Sequence, residues 1–201
     1  MSFFENTRKP VGLSGKIMVA MMNVGHSAVA RWGLQFLNAA PDARVLDCGC
    51  GGGANMKRLL KKCPQGIVKG IDYSPVSVEK SKKVNEAAIA EGRCTVLQGS
   101  VADMIFAGDW FDAVTAFETV YFWPDLPQCF REVYRVLKGG GTFLICNESS
   151  GDTDKDEKWT EIIGGMTIYK DAELKAYLEQ AGFHEVQIHK KKNWLCVTAR
   201  K

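Results

Sequence analysis

Two features of the sequence have the residue types and spacing to bind a nucleoside: a glycine-rich loop and an acidic residue after it. The loop runs from Asp47 to Gly53 with the sequence DCGCGGG, and Asp72 follows Gly51 by 21 residues. Glycines let a backbone turn sharply and approach a ligand, and free N–H groups at the start of a following helix favour an anionic group. A carboxylate at that distance can accept hydrogen bonds from both ribose hydroxyls. We therefore predict a site for a nucleoside-containing ligand.

The loop and Asp72 are positioned by a predicted β–α–β unit. A short strand over 44–47 precedes the loop, and a second strand over 67–71 ends at Asp72. Ser74 and Pro75 then provide an N-cap and a first-turn proline for the next helix. Between the strands, apolar residues at helical spacing predict a helix with one buried face. These residues are Met56, Leu59, Leu60 and Cys63.

Strand and helix patterns continue to alternate along the chain, which predicts a parallel sheet with helices on its faces. Further strands are predicted at 94–97, 111–116, 142–146, 183–189 and 194–199. A helix through Leu126 and Leu137 is expected to stop at Gly139, and another around Leu174 and Leu178 to stop at Gly182. The last two strands are separated by a few basic residues and should form an antiparallel hairpin. The predicted fold class is α/β: a Rossmann-like, mostly parallel sheet of seven strands with a C-terminal antiparallel hairpin.

About forty residues precede the first strand and are predicted to form two helices, near 16–24 and 27–37. They are too short for a second domain, but their apolar side chains need a surface to cover. The carboxyl edge of the sheet is the expected surface. We therefore predict a single domain over 1–201, with a helical lid at 1–40 and a Rossmann-like core at 41–201.

Composition restricts the class of protein. The 201 residues are 46% hydrophobic, and 26 basic residues against 23 acidic ones give a net charge of +3. Such a chain is expected to form one soluble domain. Because acidic and basic residues are intermixed, no basic face for nucleic acid is expected. No apolar run approaches the ~20 residues that span a bilayer, and the first ten residues lack the apolar centre of a signal peptide, so no membrane partner and a cytoplasmic location are predicted.

The seven cysteines are widely spaced and include no C-x-x-C pair. This pattern is typical of reduced, buried thiols. Cys48 and Cys50 form a C-x-C pair, but no second Cys or His cluster supplies the other ligands of a tetrahedral site. No metal site is therefore expected.

The pattern Gly49-x-Gly51-x-x-Ala54 also fits dinucleotide-binding loops, so the glycines alone do not identify the nucleoside. An acidic residue two positions before the first glycine, a first strand behind N-terminal helices and the closing hairpin together indicate another family. The chain from Val45 onward resembles the class I S-adenosylmethionine-dependent methyltransferases, and among them the UbiE/COQ5-like small-molecule group. Three segments carry the resemblance: Val45–Gly51 (VLDCGCG), Phe111–Val114 (FDAV) and Glu132–Gly140 (EVYRVLKGG).

The resemblance implies that the cofactor is S-adenosylmethionine and which residues contact it. Asp72 would hold the ribose and Tyr73 would lie against the adenine. Ser100 stands where the family commonly has an aspartate bonded to the adenine amino group, and Val101 or Ala102 could offer a backbone N–H to the ring. The methionine part would face Asp47, the backbone of Gly49, Gly51 and Gly53, and a carbonyl at Ala116–Phe117, with Arg8 and Lys16 as candidate partners of its carboxylate.

Candidate catalytic residues follow the fourth strand. Glu118 could act as a base or hold a cationic substrate, with Tyr121 and Trp123 beside it; alternatively Glu118 caps the loop and the aromatic residues are packed. His26 is a second candidate base, because its pKa suits neutral pH, or it caps a helix. Trp159, Met166 and Tyr169, in the insertion after the fifth strand, could contact substrate or belong to the core.

The predicted reaction is methyl transfer to a small molecule, because the lid and the insertion are both short. The nearest rival is an RNA or protein methyltransferase. The Asn/Asp-Pro-Pro-Tyr/Phe motif of exocyclic-amine enzymes is absent at 116–119, and Cys146 lacks the basic extension expected of a cytosine-5 enzyme. An NAD-dependent oxidoreductase would need a second domain to place its substrate, and a non-catalytic cofactor sensor stays open. The sequence does not indicate which oligomeric state the protein adopts.

Overall fold

The computed structural model describes residues 25–201, apart from the side chains at 154, 155 and 157. The predicted helix at 16–24, Arg8 and Lys16 lie outside the described residues. The described residues form seven strands: β1 (Arg44–Cys48), β2 (Ile67–Asp72), β3 (Cys94–Gln98), β4 (Phe111–Phe117), β5 (Leu137–Asn147), β6 (His184–Lys191) and β7 (Trp194–Arg200).

The seven strands form one sheet in the order β3-β2-β1-β4-β5-β7-β6. The first five strands pair in parallel, whereas β7 runs antiparallel to both β5 and β6. The predicted α/β fold class, with a mostly parallel sheet and a C-terminal antiparallel hairpin, is confirmed. The strand order reverses between β1 and β4, which is where open α/β sheets bind their ligands.

Seven helices flank the sheet within the described residues, and a 3-10 turn lies at Val120–Phe122. They are α1 (Ser27–Gly33), α2 (Ala54–Lys62), α3 (Pro75–Val84), α4 (Glu86–Ala90), α5 (Leu126–Val136), α6 (Asp154–Ile162) and α7 (Asp171–Gln180). Side chains from α5 and α7 form one apolar cluster with Val114 and Phe143, and side chains from α1 and α2 form another with Ala113 and Leu144. Because neighbouring strand residues enter different clusters, helices cover both faces of the sheet.

The β–α–β unit around the loop forms as predicted. Met56, Leu59 and Cys63 are fully buried, so α2 presents its apolar stripe to the sheet. The Ser74 hydroxyl accepts a hydrogen bond from the Ser77 N–H, with Pro75 as the first residue of α3. These contacts hold the end of β2 and the loop after β1 at the same edge of the sheet.

The structure corrects the end of α5. This helix ends at Val136, not at Gly139, because Leu137 is extended and pairs with Phe111 of β4. Leu137 is fully buried. Its burial in the sheet outweighs the helical spacing that placed it in the preceding helix.

The predicted lid is also corrected where the structure describes it. Helix α1 ends at Gly33 rather than near residue 37, and it packs on a face of the sheet, while its N-cap residue His26 reaches the carboxyl edge. A Cβ at Gly33 would lie 2.4 Å from the Cys146 Sγ, and Phe36 stacks on His189 with ring centroids 3.8 Å apart. Val29 and Ala30 are buried. Cys146 of β5 and Trp194 of β7, whose ring centroid lies 5.8 Å from that of Trp32, therefore supply the surface that α1 needs.

All seven cysteines are free and buried, which confirms the prediction of packed thiols. Across residues 25–201, none of the helices combines the length and apolar character needed to cross a bilayer.

Candidate functional site

A cavity of about 400 Å³ opens at the carboxyl ends of the strands. Its walls come from the ends of β1, β2, β3 and β4, including Gly51, Asp72, Ser100 and Glu118. A volume of this size is typical of sites that bind small molecules or cofactors. Of the predicted site residues, those at the cavity wall are His26, Gly49, Gly51, Asp72, Tyr73, Ser100, Val101, Phe117, Glu118 and Trp123.

The glycine loop is fixed by backbone hydrogen bonds. The N–H groups of Gly49 and Cys50 donate to the Ile71 carbonyl over 2.8 and 3.1 Å, and the Gly51 N–H donates to Asp72 Oδ2 over 2.9 Å. These three amides precede the start of α2, where free N–H groups are predicted, and they are already paired within the protein. They tie the loop to β2 and thereby give the cavity wall a fixed shape.

The glycines of the loop serve different purposes. All three predicted glycines have positive φ, at 71° for Gly49, 51° for Gly51 and 79° for Gly53. A Cβ at Gly49 would lie 2.0 Å from the Thr119 Oγ1, so glycine is required where the loops after β1 and β4 meet. A Cβ at Gly51 would meet no heavy atom within 4 Å, since Gly51 faces open space.

Gly53 differs from the prediction because it does not line the cavity. It precedes α2 as the N-cap, and a Cβ there would lie 2.5 Å from both the Asn85 Nδ2 and the Ser81 Oγ of the neighbouring helix region. The Asn85 side chain also donates to the Gly53 carbonyl. Gly53 therefore allows close packing between α2 and α3.

Asp72 joins the two segments that predict nucleoside binding. Its Oδ2 accepts from the Gly51 N–H, and its Oδ1 accepts from the Ser74 N–H at 2.9 Å. Burial raises the pKa of Asp72 above its ordinary value, while these two hydrogen bonds act in the opposite direction. Each carboxylate oxygen has a second lone pair, so Asp72 can still accept from ribose hydroxyls.

The predicted adenine contacts lie near Asp72 along the wall. Tyr73 is 38% exposed, and Ser100 and Val101 follow β3. The Ala102 N–H is already donated to the Ser100 Oγ at 3.2 Å, so the structure does not offer it to a ring. Of the two backbone N–H groups that were predicted as donors to the adenine ring, the one that stays a candidate is that of Val101.

Asp47 is placed differently from the prediction. It is 1% exposed and does not line the cavity, and its Oδ1 accepts from the Thr115 Oγ1 at 2.8 Å. Burial raises the pKa of Asp47 to about 7; the Thr115 hydrogen bond opposes this shift and the charge of Asp72 adds to it. Asp47 is paired in register with Thr115 of the neighbouring strand β4, so its carboxyl group is held beside the Thr115 hydroxyl inside the protein and not at the cavity.

A second group of polar side chains lies at the ends of β4 and β5. The Glu118 carboxylate accepts from the Glu148 N–H, and the His26 Nε2 lies 3.8 Å from the Glu148 Oε2. Burial and the charge of Glu148 raise the pKa of Glu118 well above its usual range, against the effect of that hydrogen bond. Burial lowers the pKa of His26, and Glu148 opposes this shift. Glu148 was not predicted, although its position directly after β5 is a signal for it.

Tyr121 does not line the cavity, in contrast to its prediction as a catalytic residue. Its hydroxyl accepts from the Ser149 N–H at 3.0 Å and lies 3.3 Å from the Ser149 carbonyl. Burial and the charge of Glu118 raise the pKa of Tyr121 well above its usual range. Tyr121 therefore braces the loop after β5, because the 3-10 turn directs its ring away from the cavity wall.

The insertion after β5 also lies away from the cavity. Trp159, Met166 and Tyr169 are not among the residues of its wall. Tyr169 packs against Tyr177 beside the core, and Trp159 is 41% exposed. The structure therefore supports the alternative that Tyr169 packs against the core and does not contact substrate.

The structure adds cavity residues that sequence reasoning missed. Arg58 donates to the Asn55 Oδ1 at 2.7 Å and to the Ser27 Oγ at 2.6 Å, so it links α2 to the start of α1. Asn55 and Arg58 lie on the polar side of α2, and that position beside the loop is the signal that could have found them. Cys50, Ser77, Phe122 and Pro124 complete much of the remaining wall.

Comparisons with known proteins agree with this geometry. Residues 46–145 match the family described as "Methyltransferase domain". The chain is 31% identical over 159 residues to a cycloartenol-C-24-methyltransferase of Arabidopsis thaliana, covering 75% of this chain and 47% of that protein. It is 28% identical over 148 residues to the chloroplastic 2-methyl-6-phytyl-1,4-hydroquinone methyltransferase of the same plant, covering 74% of this chain and 42% of that protein. The chain thus spans less than half the length of these curated relatives.

A solved structure shows the same fold. A SAM-dependent methyltransferase from Aquifex aeolicus superposes with a TM-score of 0.77 and 19% identity, covering 92% of this chain and 97% of that chain. Fold and family match define the class: an α/β domain with a cavity at the carboxyl edge of its sheet. Residues 46–145 of this chain match a methyltransferase domain, and the chain has the fold of a SAM-dependent methyltransferase.

Proposed function

We propose that this protein transfers a methyl group from S-adenosylmethionine to a small-molecule acceptor. The observation that carries the proposal is one cavity in which the Asp72-anchored glycine loop and the Glu118 carboxylate form parts of the same wall. The first group fits a nucleoside and the second fits an acceptor. The arrangement therefore supports a reaction between two ligands held side by side.

The residues of the wall fit the cofactor by their chemistry. Asp72 would bind the ribose hydroxyls, with Tyr73, Ser100 and Val101 around the adenine. Gly49 and Gly51 would leave room for the methionine part, and the Phe117 carbonyl would accept from its amino group. Arg58 is the cationic side chain of the described wall, and it is placed to pair with the carboxylate.

When bound, the cofactor supplies a methyl group on a sulfonium, which is already activated for in-line displacement. The protein's main task is then to position the acceptor, which can contribute about 7–11 kcal/mol in favourable cases. Glu118 and His26 would orient the acceptor and take up its proton. Phe122 and Trp123 would exclude water from the same side, since both contribute to the wall.

A small apolar acceptor is supported by two observations. The acceptor side of the wall contains Phe117, Phe122, Trp123 and Pro124. The two relatives described above are named for methylation of cycloartenol and of a phytyl hydroquinone. Membership of the UbiE/COQ5-like group is part of this proposal. We also propose that catalysis occurs mainly by positioning of the acceptor beside the methyl donor.

The proposal is tested first by calorimetric titration of the purified protein with S-adenosylmethionine and, separately, with NAD. We expect binding of S-adenosylmethionine only. The protein is then incubated with the cofactor and a panel of sterols, quinols and other small nucleophiles, and S-adenosylhomocysteine is measured by mass spectrometry. Binding of NAD without binding of S-adenosylmethionine would contradict the proposal, and cofactor binding without turnover on any acceptor would indicate a sensor instead of an enzyme.

A further inference from the structure

Three potential metal ligands converge at one side of the cavity. They are His26 at the start of α1, Glu118 directly after β4 and Glu148 directly after β5. One nitrogen or oxygen atom from each of them lies within 4.8 Å of the other two. Two of the three, His26 and Glu118, belong to the cavity wall. The cluster therefore joins separate elements at the acceptor side of the site.

The backbone holds these side chains together. Glu118 has a φ of 57°, a left-handed conformation that is uncommon for residues other than glycine and is frequent at functional sites. The Glu118 N–H donates to the Cys146 carbonyl at 3.0 Å, and its carboxylate accepts from the Glu148 N–H. The His26 carbonyl accepts from the Ala30 N–H at 3.1 Å, which fixes the start of α1. Backbone hydrogen bonds of three separate segments thus bring the ligand atoms close together.

The charge at this position favours a cation. Two carboxyl side chains are adjacent, and like charges at such distances destabilise each other unless a cation lies nearby. In the described part of the cavity wall, Arg58 carries the only guanidinium or ammonium group, and it is hydrogen-bonded to Asn55 and Ser27. His26, which approaches Glu148 to 3.8 Å, offers an imidazole nitrogen to the same space.

We propose that His26, Glu118 and Glu148 bind a divalent transition-metal cation such as Mn²⁺. One imidazole and two carboxylates form a donor set suited to Mn²⁺, Fe²⁺ or Zn²⁺. Three protein ligands leave coordination positions open to the cavity, as in catalytic metal sites. The expectation of no metal site considered only Cys48 and Cys50, and these are not among the three ligands.

The metal site specifies the acceptor more closely, and this step rests on the proposed function. Coordination positions open to the cavity would bind an acceptor through an oxygen atom. A hydroxyl or quinol oxygen is then a better acceptor than an unactivated carbon or a thioether. The cation would orient that oxygen beside the methyl donor and lower the pKa of its proton, which would leave to solvent. With the cation bound, Glu118 and His26 would act on the acceptor as ligands of the cation and not as proton acceptors.

The site is tested by titrating the chelator-treated full chain with Mn²⁺ alone and following free Mn²⁺ by electron paramagnetic resonance. We expect one Mn²⁺ per chain. Because loss of an outer partner alone typically weakens metal binding about 10- to 100-fold, Glu148→Gln and His26→Gln should each weaken it at least tenfold. Glu179→Gln is the matched control, because Glu179 is exposed on α7 beside Lys175 and lies outside the cavity wall. The affinity of this variant for Mn²⁺ should equal that of the parent protein.

Two further measurements separate the outcomes. Thermal unfolding of each variant checks that it is folded, and Co²⁺ absorption shows whether thiolate ligands are used. Absence of Mn²⁺ binding, unchanged affinity in both folded variants, or a thiolate charge-transfer band would overturn the metal site. Formation of S-adenosylhomocysteine without any Mn²⁺ binding leaves the proposed function standing, whereas Mn²⁺ binding without methyl transfer on any acceptor leaves only the site.

Discussion

Asp72 connects the fold to the proposed cofactor, because its carboxylate already holds the Gly51 and Ser74 amides. We predict that Asp72→Ala weakens the affinity for S-adenosylmethionine by about 1–3 kcal/mol, since ribose hydrogen bonds are lost. Isothermal titration calorimetry measures the change. Asp109→Ala is the control, because Asp109 is exposed and pairs with Lys201 away from the cavity. An affinity equal to that of the parent would remove Asp72 from the site.

Glu118 is expected to act on the acceptor and not on the cofactor. We predict that Glu118→Gln lowers kcat at least about 100-fold, the smaller end of the usual contribution of a positioned proton acceptor. The dissociation constant for S-adenosylmethionine should stay near that of the parent. Both constants are measured on the acceptor that the panel identifies. Full turnover in a folded variant would rule out a catalytic role for Glu118.

At the scale of elements, two glycines of one loop should respond differently to the same substitution. Gly53→Ala places a Cβ 2.5 Å from the Asn85 and Ser81 side chains, whereas a Cβ at Gly51 meets no atom within 4 Å. Both residues have positive φ, which costs alanine roughly 1 kcal/mol. Overpacking adds roughly 1–3 kcal/mol at Gly53.

We therefore predict that Gly53→Ala lowers the free energy of unfolding by about 2 kcal/mol or more, and Gly51→Ala by about 1 kcal/mol. Gly51 lies in the cavity wall, so an added Cβ would occupy space proposed for the cofactor. Gly51→Ala should therefore weaken cofactor binding, and by more free energy than it removes from the stability of the fold. Urea unfolding and calorimetry measure the two effects. Equal losses of stability in the two variants would contradict this assignment of roles.

The elements were predictable where local pattern and tertiary packing agree. The stripe through Met56 and Leu59, the Ser74 cap and the C-terminal hairpin follow from spacing and turn chemistry, and all of them form. The end of α5 was not predictable, because Leu137 continues the helical spacing while the sheet buries it. Packing against distant strands decided that case.

The site was predictable to a different degree. Strand ends followed by glycine or acidic residues correctly indicated Gly51, Asp72 and Glu118 as parts of one wall. Side-chain direction could not be read from position alone. Asp47 is enclosed beside Thr115, and Tyr121 is turned toward Ser149. Glu148 comes close to Glu118 only because β4 and β5 are neighbours in the sheet.

For the whole molecule, buried Asp47 predicts how stability changes with pH. Its pKa is raised from the ordinary value of 3.8 to about 7, mainly by burial. The folded state therefore binds the proton more tightly than the unfolded state. The resulting stability is fully present below about pH 4 and is lost as the pH rises to about 7, a contribution of up to about 4 kcal/mol.

We predict that Asp47→Asn removes this dependence. The variant's free energy of unfolding, relative to that of the parent, should increase between about pH 4 and pH 7 and stay constant at higher pH. Urea unfolding over this range measures the difference, in which the titration of groups that do not interact with Asp47 cancels. A difference that does not change with pH would show that Asp47 titrates normally in the folded protein.

The reversal of strand order between β1 and β4 divides the cavity wall into two halves of separate origin. In the proposed arrangement, nucleoside contacts would come from the residues at the ends of β1, β2 and β3, whereas acceptor contacts would come from the segment after β4 and from His26 at the start of α1, with Glu148 after β5 beside them. Inherited changes in the second half can therefore alter which compound is modified while the donor is still held. Such a scaffold can diversify its chemistry by small steps, and exchange of the 118–124 and 148–150 loops between homologous enzymes offers a direct route to new acceptor preferences.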